Sequence, residues 1–224
     1  MAPGNGVLEI TLLNINSSTP PTSPQVLSSL QDTRSLLAEK VLPTYSRFYQ
    51  NIDRPQVIFI LGIWPSLESH HEFLSSDLRE EVLGGQEGLF DFNWSIHVEL
   101  GSSGGSKPQD VVEDVKRQLK EAKGLEVGRW MVKTGKESEF FENLTKQETE
   151  GEEGLKGFQI AVGWRCDAPH GDREYVRIKG WSKREDAGND LHVHEGWRKG
   201  GFLSEEETDV CEKVEVKTAW NMEH

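Results

Sequence analysis

The side chains most able to do chemistry at neutral pH are the histidines, of which the chain has seven. An imidazole ordinarily titrates near pH 6.5, so it serves as base or acid without special activation. His70 and His71 are adjacent in a segment of helical spacing, so at most one of them faces any given cleft. His97 shares a strand face with Asn93, Ser95 and Glu99. His192-Val193-His194-Glu195 would chelate on a strand, but on a helix the two rings diverge by about 200°. His71-Glu72 begins like a zinc-protease helix, yet Ser75 stands where the second histidine belongs. Lys107 follows Ser106 and precedes Pro108, which breaks a phosphate loop. Neither Cys166 nor Cys211 has the electropositive context of a nucleophile. No metal site is therefore expected.

The rest of the composition narrows the partners. The 224 residues carry a formal charge of -13, a field that repels phosphate backbones and anionic lipid, so neither nucleic acid nor membrane is expected as a partner. Two cysteines make no disulfide framework, and the N-terminal MAPGNGVLEI lacks the basic and apolar regions of a secretion signal. A cytoplasmic location is the expectation, and the sequons at Asn16, Asn93 and Asn143 are then chance.

The elements that must position these side chains come in two like sets. The strand Gln56 to Trp64 is apolar on both faces and ends in Gly62 and Trp64, with a Glu/His-rich helix from Leu67 to Ser76 continuing toward Leu83. The same grammar returns at Tyr175 to Leu191, with Trp64 and Glu68 matched by Trp181 and Glu185, in both cases 117 residues apart. A fixed-period self-match indicates a duplicated unit. The first copy runs strand Val7 to Ile15, helix Gln25 to Leu42, strand Tyr45 to Tyr49, the Trp64 strand, the helix after it, and strand Phe92 to Leu100, where alternation groups Phe92, Trp94, Ile96, Val98 and Leu100. Alternation likewise groups Asn14 with Leu8, Ile10 and Leu12. The second copy runs strand Glu126 to Thr134, helix Lys136 to Gln147, a strand through Phe158 and Trp164, strand Glu174 to Trp181, a weak helix Lys183 to Gly201, and strand Val210 to Trp220. Between them lie a flexible junction and an amphipathic helix, Asp110 to Lys123, expected to pack against one half. The expected organisation is a first repeat over 1–100, a linker and connector helix over 101–125, and a second repeat over 126–224.

Two β-α-β-β-α-β units make a split βαβ pattern. On that pattern the chain resembles the dimeric α/β-barrel superfamily, in particular the antibiotic-biosynthesis-monooxygenase-like domains. The resemblance implies an α+β fold of tandem ferredoxin-like repeats in which one chain supplies both sheets, a pseudo-dimer within one chain that could form a further homodimer. It also implies a cleft between sheet and helices in each unit, working without a cofactor. For the first cleft the residues it points to are Asn14, Tyr45, Trp64, His71 and His97; for the second, Tyr175, Trp181 and His192. The histidines would transfer protons, and the Asn, Tyr and Trp side chains would orient the substrate. Trp64 and Trp181 have a core-anchoring alternative.

The function these features suggest is an enzyme acting on a small apolar molecule, aromatic or polyketide-like, by cofactor-independent oxygenation, cyclisation or isomerisation. The alternative from another class is a non-catalytic ligand-binding or stress-response barrel. A haem-degrading relative would resemble this chain through Asn14 and Trp64, or through Trp181 and His192, with neither half carrying the whole set.

Overall fold

The computed structural model describes residues 6–41, 44–100, 108–151, 158–169, 173–182 and 211–222. Eight strands form one sheet in the order β4-β1-β3-β2-β8-β5-β7-β6. The first four are β1 (Val7–Ile15), β2 (Tyr45–Asn51), β3 (Val57–Trp64) and β4 (Phe90–Glu99). The second four are β5 (Gly124–Val132), β6 (Phe158–Trp164), β7 (Glu174–Trp181) and β8 (Cys211–Asn221). Each set has the strand order of a ferredoxin-like unit, all neighbours antiparallel, and the sets join where β2 pairs β8 over Tyr49–Asn51. The outer edges meet in turn: Val98 of β4 bridges Arg165, just past β6. The fold is thus α+β, two ferredoxin-like repeats forming one α/β barrel.

Alternation along the strands gives each residue its side. Leu8, Ile10 and Leu12 of β1 and Val57, Phe59, Leu61 and Ile63 of β3 enter one buried cluster with Leu125, Val127, Val176 and Ile178 of the second half. That cluster is the barrel interior, where each sheet covers the other's apolar face. The other face of the first half carries Leu13, Ile15, Phe48 and Ile58, which pack on Val26 and Leu30 of α1 (Pro24–Lys40). Pro24 in the first turn presets the helical φ. Two further helices, α2 (Leu67–Ser75) and α3 (Leu78–Leu83), complete the outer layer. Phe73 and Val82 from these helices are buried with Trp64.

Two features depart from simple pattern. The register of β1 on β4 shifts so that Leu12 faces Trp94 while Leu13 faces Phe92. Asn93 is the extra residue of a bulge, and beyond it the side chains change face. Phe92 therefore leaves the Trp94 set and is 67 % exposed on the helix side. The connector helix, α4 (Pro108–Glu121), does not choose one half: Val115, Leu119 and Ala122 enter the shared interior. The Tyr45 and Tyr49 hydroxyls donate to the Lys116 and Leu119 carbonyls, at 3.2 and 3.0 Å.

In the second half, α5 (Glu137–Gly151) lays Phe140 and Leu144 on Trp130 and Tyr175. Trp130 lies so close over Gly128 that a Cβ there would meet its ring at 2.2 Å, so only glycine fits. The weak helix expected at 183–201 lies outside the described residues. None of the described helices is long and apolar enough to cross a membrane.

Candidate active site

The site is built outward from a charge in the middle of an apolar strand. Glu9 of β1 stands opposite Gly62 of β3 on one side and His97 of β4 on the other. It lies on the helix-facing side, since Leu8 and Ile10 point into the barrel. Gly62 leaves room for the carboxylate: a Cβ there would lie 3.0 Å from Glu9 Oε2 and 3.4 Å from Trp64 Nε1. Into that space the Trp64 indole N–H donates to Glu9 Oε2 at 2.6 Å. Thr11 donates to Glu9 Oε1 at 2.5 Å, and its hydroxyl also lies 2.8 Å from Ser95 Oγ.

Helix α2 brings the second component. Ser66 caps it, its hydroxyl accepting the Ser69 N–H at 3.1 Å, and Glu68 complements the positive helix end. With the start so fixed, the 100° step between residues turns His70 inward and His71 outward. His70 is 4 % exposed and stacks on the Trp64 ring, centroids 4.3 Å apart, whereas His71 is exposed on the helix surface. His70 Nε2 lies 3.7 Å from Glu9 Oε2, and its Nδ1 lies 2.7 Å from His97 Nε2.

His97 is gripped from the second half of the chain. Its Nδ1 lies 2.8 Å from Asp167 Oδ2, and its backbone N–H donates to Asp167 Oδ1 at 3.2 Å. Arg165 donates to Asp167 Oδ1 at 2.7 Å and to Glu174 Oε2 at 3.1 Å, while Glu174 Oε1 accepts from Arg129. The Arg129 guanidinium lies over the Trp94 ring, 4.4 Å from its centroid, in contact with the first half.

These contacts set the charges. Burial alone would raise the Asp167 carboxyl, but hydrogen bonds from the His97 ring, Arg165 and the His97 backbone outweigh it and hold it far below the usual carboxylate range. Burial pulls His70 below the ordinary imidazole value, only partly opposed by Glu9, so it is a neutral base at pH 7. The Cys166 thiol, near the same seam, is pushed up by burial and by Asp167, the reverse of an activated nucleophile.

Glu9, Trp64, His70 and His97 form one wall of a cavity of about 510 Å³ between the first-half sheet and its helices. Leu13, Leu30, Phe48, Ile60, Phe73 and Phe90 make much of the rest apolar, and Leu74 and Phe92 add two exposed apolar side chains. An apolar hollow with a few convergent polar groups is the usual form of a small-molecule site.

Of the sequence candidates, His97 and Trp64 line this cavity, and His71 gives way to His70 as the inward histidine. Tyr45 borders the cavity but has its ring in the barrel-side cluster and its hydroxyl on α4. Asn14 is on the barrel-facing side of β1, half-buried, and pairs with Val57 while Trp64 pairs with Val7. The two lie at opposite ends of that ladder, about 23 Å apart at roughly 3.3 Å per residue. Asn14 and Trp64 thus do not meet in one cleft. Tyr175 packs among Phe140, Phe141 and Trp164, with ring centroids 5.3, 5.2 and 5.5 Å away. Trp181 is buried opposite Gly124. His192 lies outside the described residues. Among the described residues no group of three His, Cys, Asp or Glu side chains is placed to hold a metal ion.

Glu9, Asp167 and Arg165 are absent from the sequence candidates. For Glu9 a signal existed: Leu8-Glu9-Ile10 returns as Leu125-Glu126-Val127 at the spacing that relates Trp64 to Trp181. The register repeats as well, Glu9 facing Gly62 and Glu126 facing Lys179. The outcome differs: Glu126 is buried with Arg177 at 3.5 Å, and Thr218 stands across from it where His97 stands across from Glu9.

No protein-family model matches the chain, and no curated protein sequence matches it. Solved structures do. A dye-decolorizing peroxidase from Bacteroides thetaiotaomicron superposes with a TM-score of 0.58 at 10 % identity, covering 99 % of this chain and 93 % of its own. A mutant chlorite dismutase from Candidatus Nitrospira defluvii gives 0.56 at 12 %, covering 97 % and 92 %. A proposed monooxygenase from Lactobacillus acidophilus NCFM gives 0.53 at 12 %, covering 96 % and 93 %. Likeness of this kind extends over both repeats and concerns the fold alone, two ferredoxin-like units closing one α/β barrel.

Proposed function

We propose that this protein is an enzyme that binds an apolar, aromatic or polyketide-like molecule in the first-half cleft and removes a proton from it, with His70 as the base and His97 as its partner. The observation that carries this reading is the buried pair itself: a neutral imidazole in the wall of an apolar cavity, its second nitrogen 2.7 Å from another imidazole that is backed by a carboxylate. A base near its working pH and shielded from water suits abstraction of a weakly acidic C–H or O–H proton. The resulting anion has three fates compatible with the site. Reprotonation elsewhere is isomerisation, and attack on an internal carbonyl is cyclisation. Reaction with dioxygen converts a CH2 group to C=O with release of water, the substrate being the reductant. No bound cofactor is required by any of them.

His70→Ala and His97→Ala test the proposal. Both variants should fold and still bind an apolar probe such as 2-naphthol, and both should lose turnover in a screen of phenolic and 1,3-dicarbonyl aromatics. Full turnover in both would remove the base from the reading. The mostly apolar lining of the cleft also suits a carrier. A ligand recovered unchanged from the protein, with no conversion across the screen, would favour that second reading.

A further inference from the structure

The second half of the chain does more than cover the first. We propose that Asp167 is the positioning residue of the first-half cleft: it holds the resting proton of His97 on Nδ1, so that His97 Nε2 accepts from His70 Nδ1 and the lone pair of His70 Nε2 is the one left in the cleft wall. This rests on the reading of that cleft as a site for proton removal and adds to it where the protons sit.

The placement follows by elimination. An ionised carboxylate accepts and cannot donate, so the 2.8 Å contact between Asp167 Oδ2 and His97 Nδ1 requires the proton on nitrogen. With a single N–H on the resting His97 ring, as the proposal has it, His97 Nε2 is an acceptor, and the donor 2.7 Å away is His70 Nδ1. A neutral His70 has spent its single N–H on that bond, and its Nε2 is bare. The carboxylate cannot turn away, because its other oxygen accepts the His97 backbone N–H at 3.2 Å and the Arg165 Nε–H at 2.7 Å. Arg165 is in turn held by Glu174. The charged and titratable groups around the pair are Glu9 on β1, His71 on α2, and Arg165 and Asp167 beyond β6. Among the described residues, only Asp167 bonds to the ring of His97 on the side away from His70.

The arrangement gives a removed proton a direction. When a ligand proton bonds to His70 Nε2, the N–H at His70 Nδ1 breaks as one forms at His97 Nε2. The positive charge then rests on His97 beside Asp167, one ring further from the ligand anion, and no heavy atom has moved. The exchange is one-sided, since the position across from Glu126 that corresponds to His97 is Thr218.

Ring-nitrogen NMR of the full-length protein with nitrogen-labelled histidine tests this without substrate. In the wild type at neutral pH, both His70 and His97 should carry their proton on Nδ1. Asp167→Asn keeps an oxygen for the His97 backbone N–H but removes the charge. It should move the His97 proton at least partly to Nε2 and change the His70 signals with it. His97 found with its proton on Nε2 in the wild type, or both tautomers unchanged in a folded Asp167→Asn protein, would overturn the proposal. If Asp167→Asn does not fold, the wild-type spectrum decides alone. Tautomers as stated, in a protein whose His70→Ala variant keeps full turnover, would count against the base and leave the placement standing.

Discussion

The Trp64 indole donates to the Glu9 carboxylate at 2.6 Å in the space left by Gly62. Three neighbouring strand positions thus share one volume: the glycine supplies the gap, the tryptophan the donor and the glutamate the charge. Because His70 stacks on that same indole, the gap at Gly62 also governs where the inward histidine lies.

Gly62→Ala should accordingly disturb both stability and the cleft. The new Cβ meets Glu9 Oε2 at 3.0 Å with sheet on either side, an overpacking expected to cost about 1–3 kcal/mol. Gly85→Ala is the control, since nothing lies within 4 Å of a Cβ there. Urea denaturation of both variants should show a lowered midpoint for the first only, and a change in tryptophan emission should accompany it.

The two adjacent histidines should separate in kinetics. His70→Ala removes the group stacked on Trp64 and is expected to lower kcat/KM by roughly 10²–10⁴-fold, the range of a lost general base. His71→Ala alters an exposed side chain and should leave turnover within about threefold of wild type, in keeping with the small effects of most surface substitutions. Comparable losses in the two variants would contradict the inward assignment of His70.

Acid should destabilise the protein in two stages. For His70, the folded pKa is lowered from 6.5, so below 6.5 the unfolded chain takes up a proton that the folded chain resists. Stability therefore falls as pH drops from 6.5 toward the lowered value. For Asp167 the folded pKa is also depressed, here from 3.8. Its contribution is present above 3.8 and is lost as pH falls below it. Urea midpoints measured from pH 8 to pH 3 should show the first decline in the wild type and a weaker one in His70→Gln.

The aromatic cluster of the second half should be structural. Phe140 is buried against Trp130 and Tyr175, and Phe140→Ala is expected to cost about 3–5 kcal/mol. Binding of 2-naphthol to the remaining folded protein should be unchanged, because no residue of this cluster lines the first-half cavity. Calorimetric unfolding and a fluorescence titration read the two effects separately.

Much of the architecture was legible in the chain because it depends on local period and on duplication. The alternation of β1, the two-faced apolar character of β3 and the Trp64/Trp181 match lead directly to two like units. Phe92 was misplaced because one inserted residue, Asn93, reverses the alternation, and no local pattern marks it. The choice between His70 and His71 depends on the helix phase, which a single hydrogen bond from Ser69 to Ser66 sets. Asp167 was out of reach for a different reason: it meets His97 only because the sheet closes on itself, bringing together positions 70 residues apart. Glu9 is legible at the spacing of the duplication, which carries Leu8-Glu9-Ile10 onto Leu125-Glu126-Val127.

The two joints of the barrel are unequal. Among the described residues, one is a run of three paired residues between β2 and β8, and the other has a single bridge, Val98 to Arg165, extended by the Cys166 N–H to the His97 carbonyl and by the Asp167 carboxylate taking the His97 N–H. That carboxylate is a clasp for the wall as well as a companion for the imidazole. Any event that lets the wall part at this point also unhooks the ring from its carboxylate, so an opened barrel has a less basic hollow.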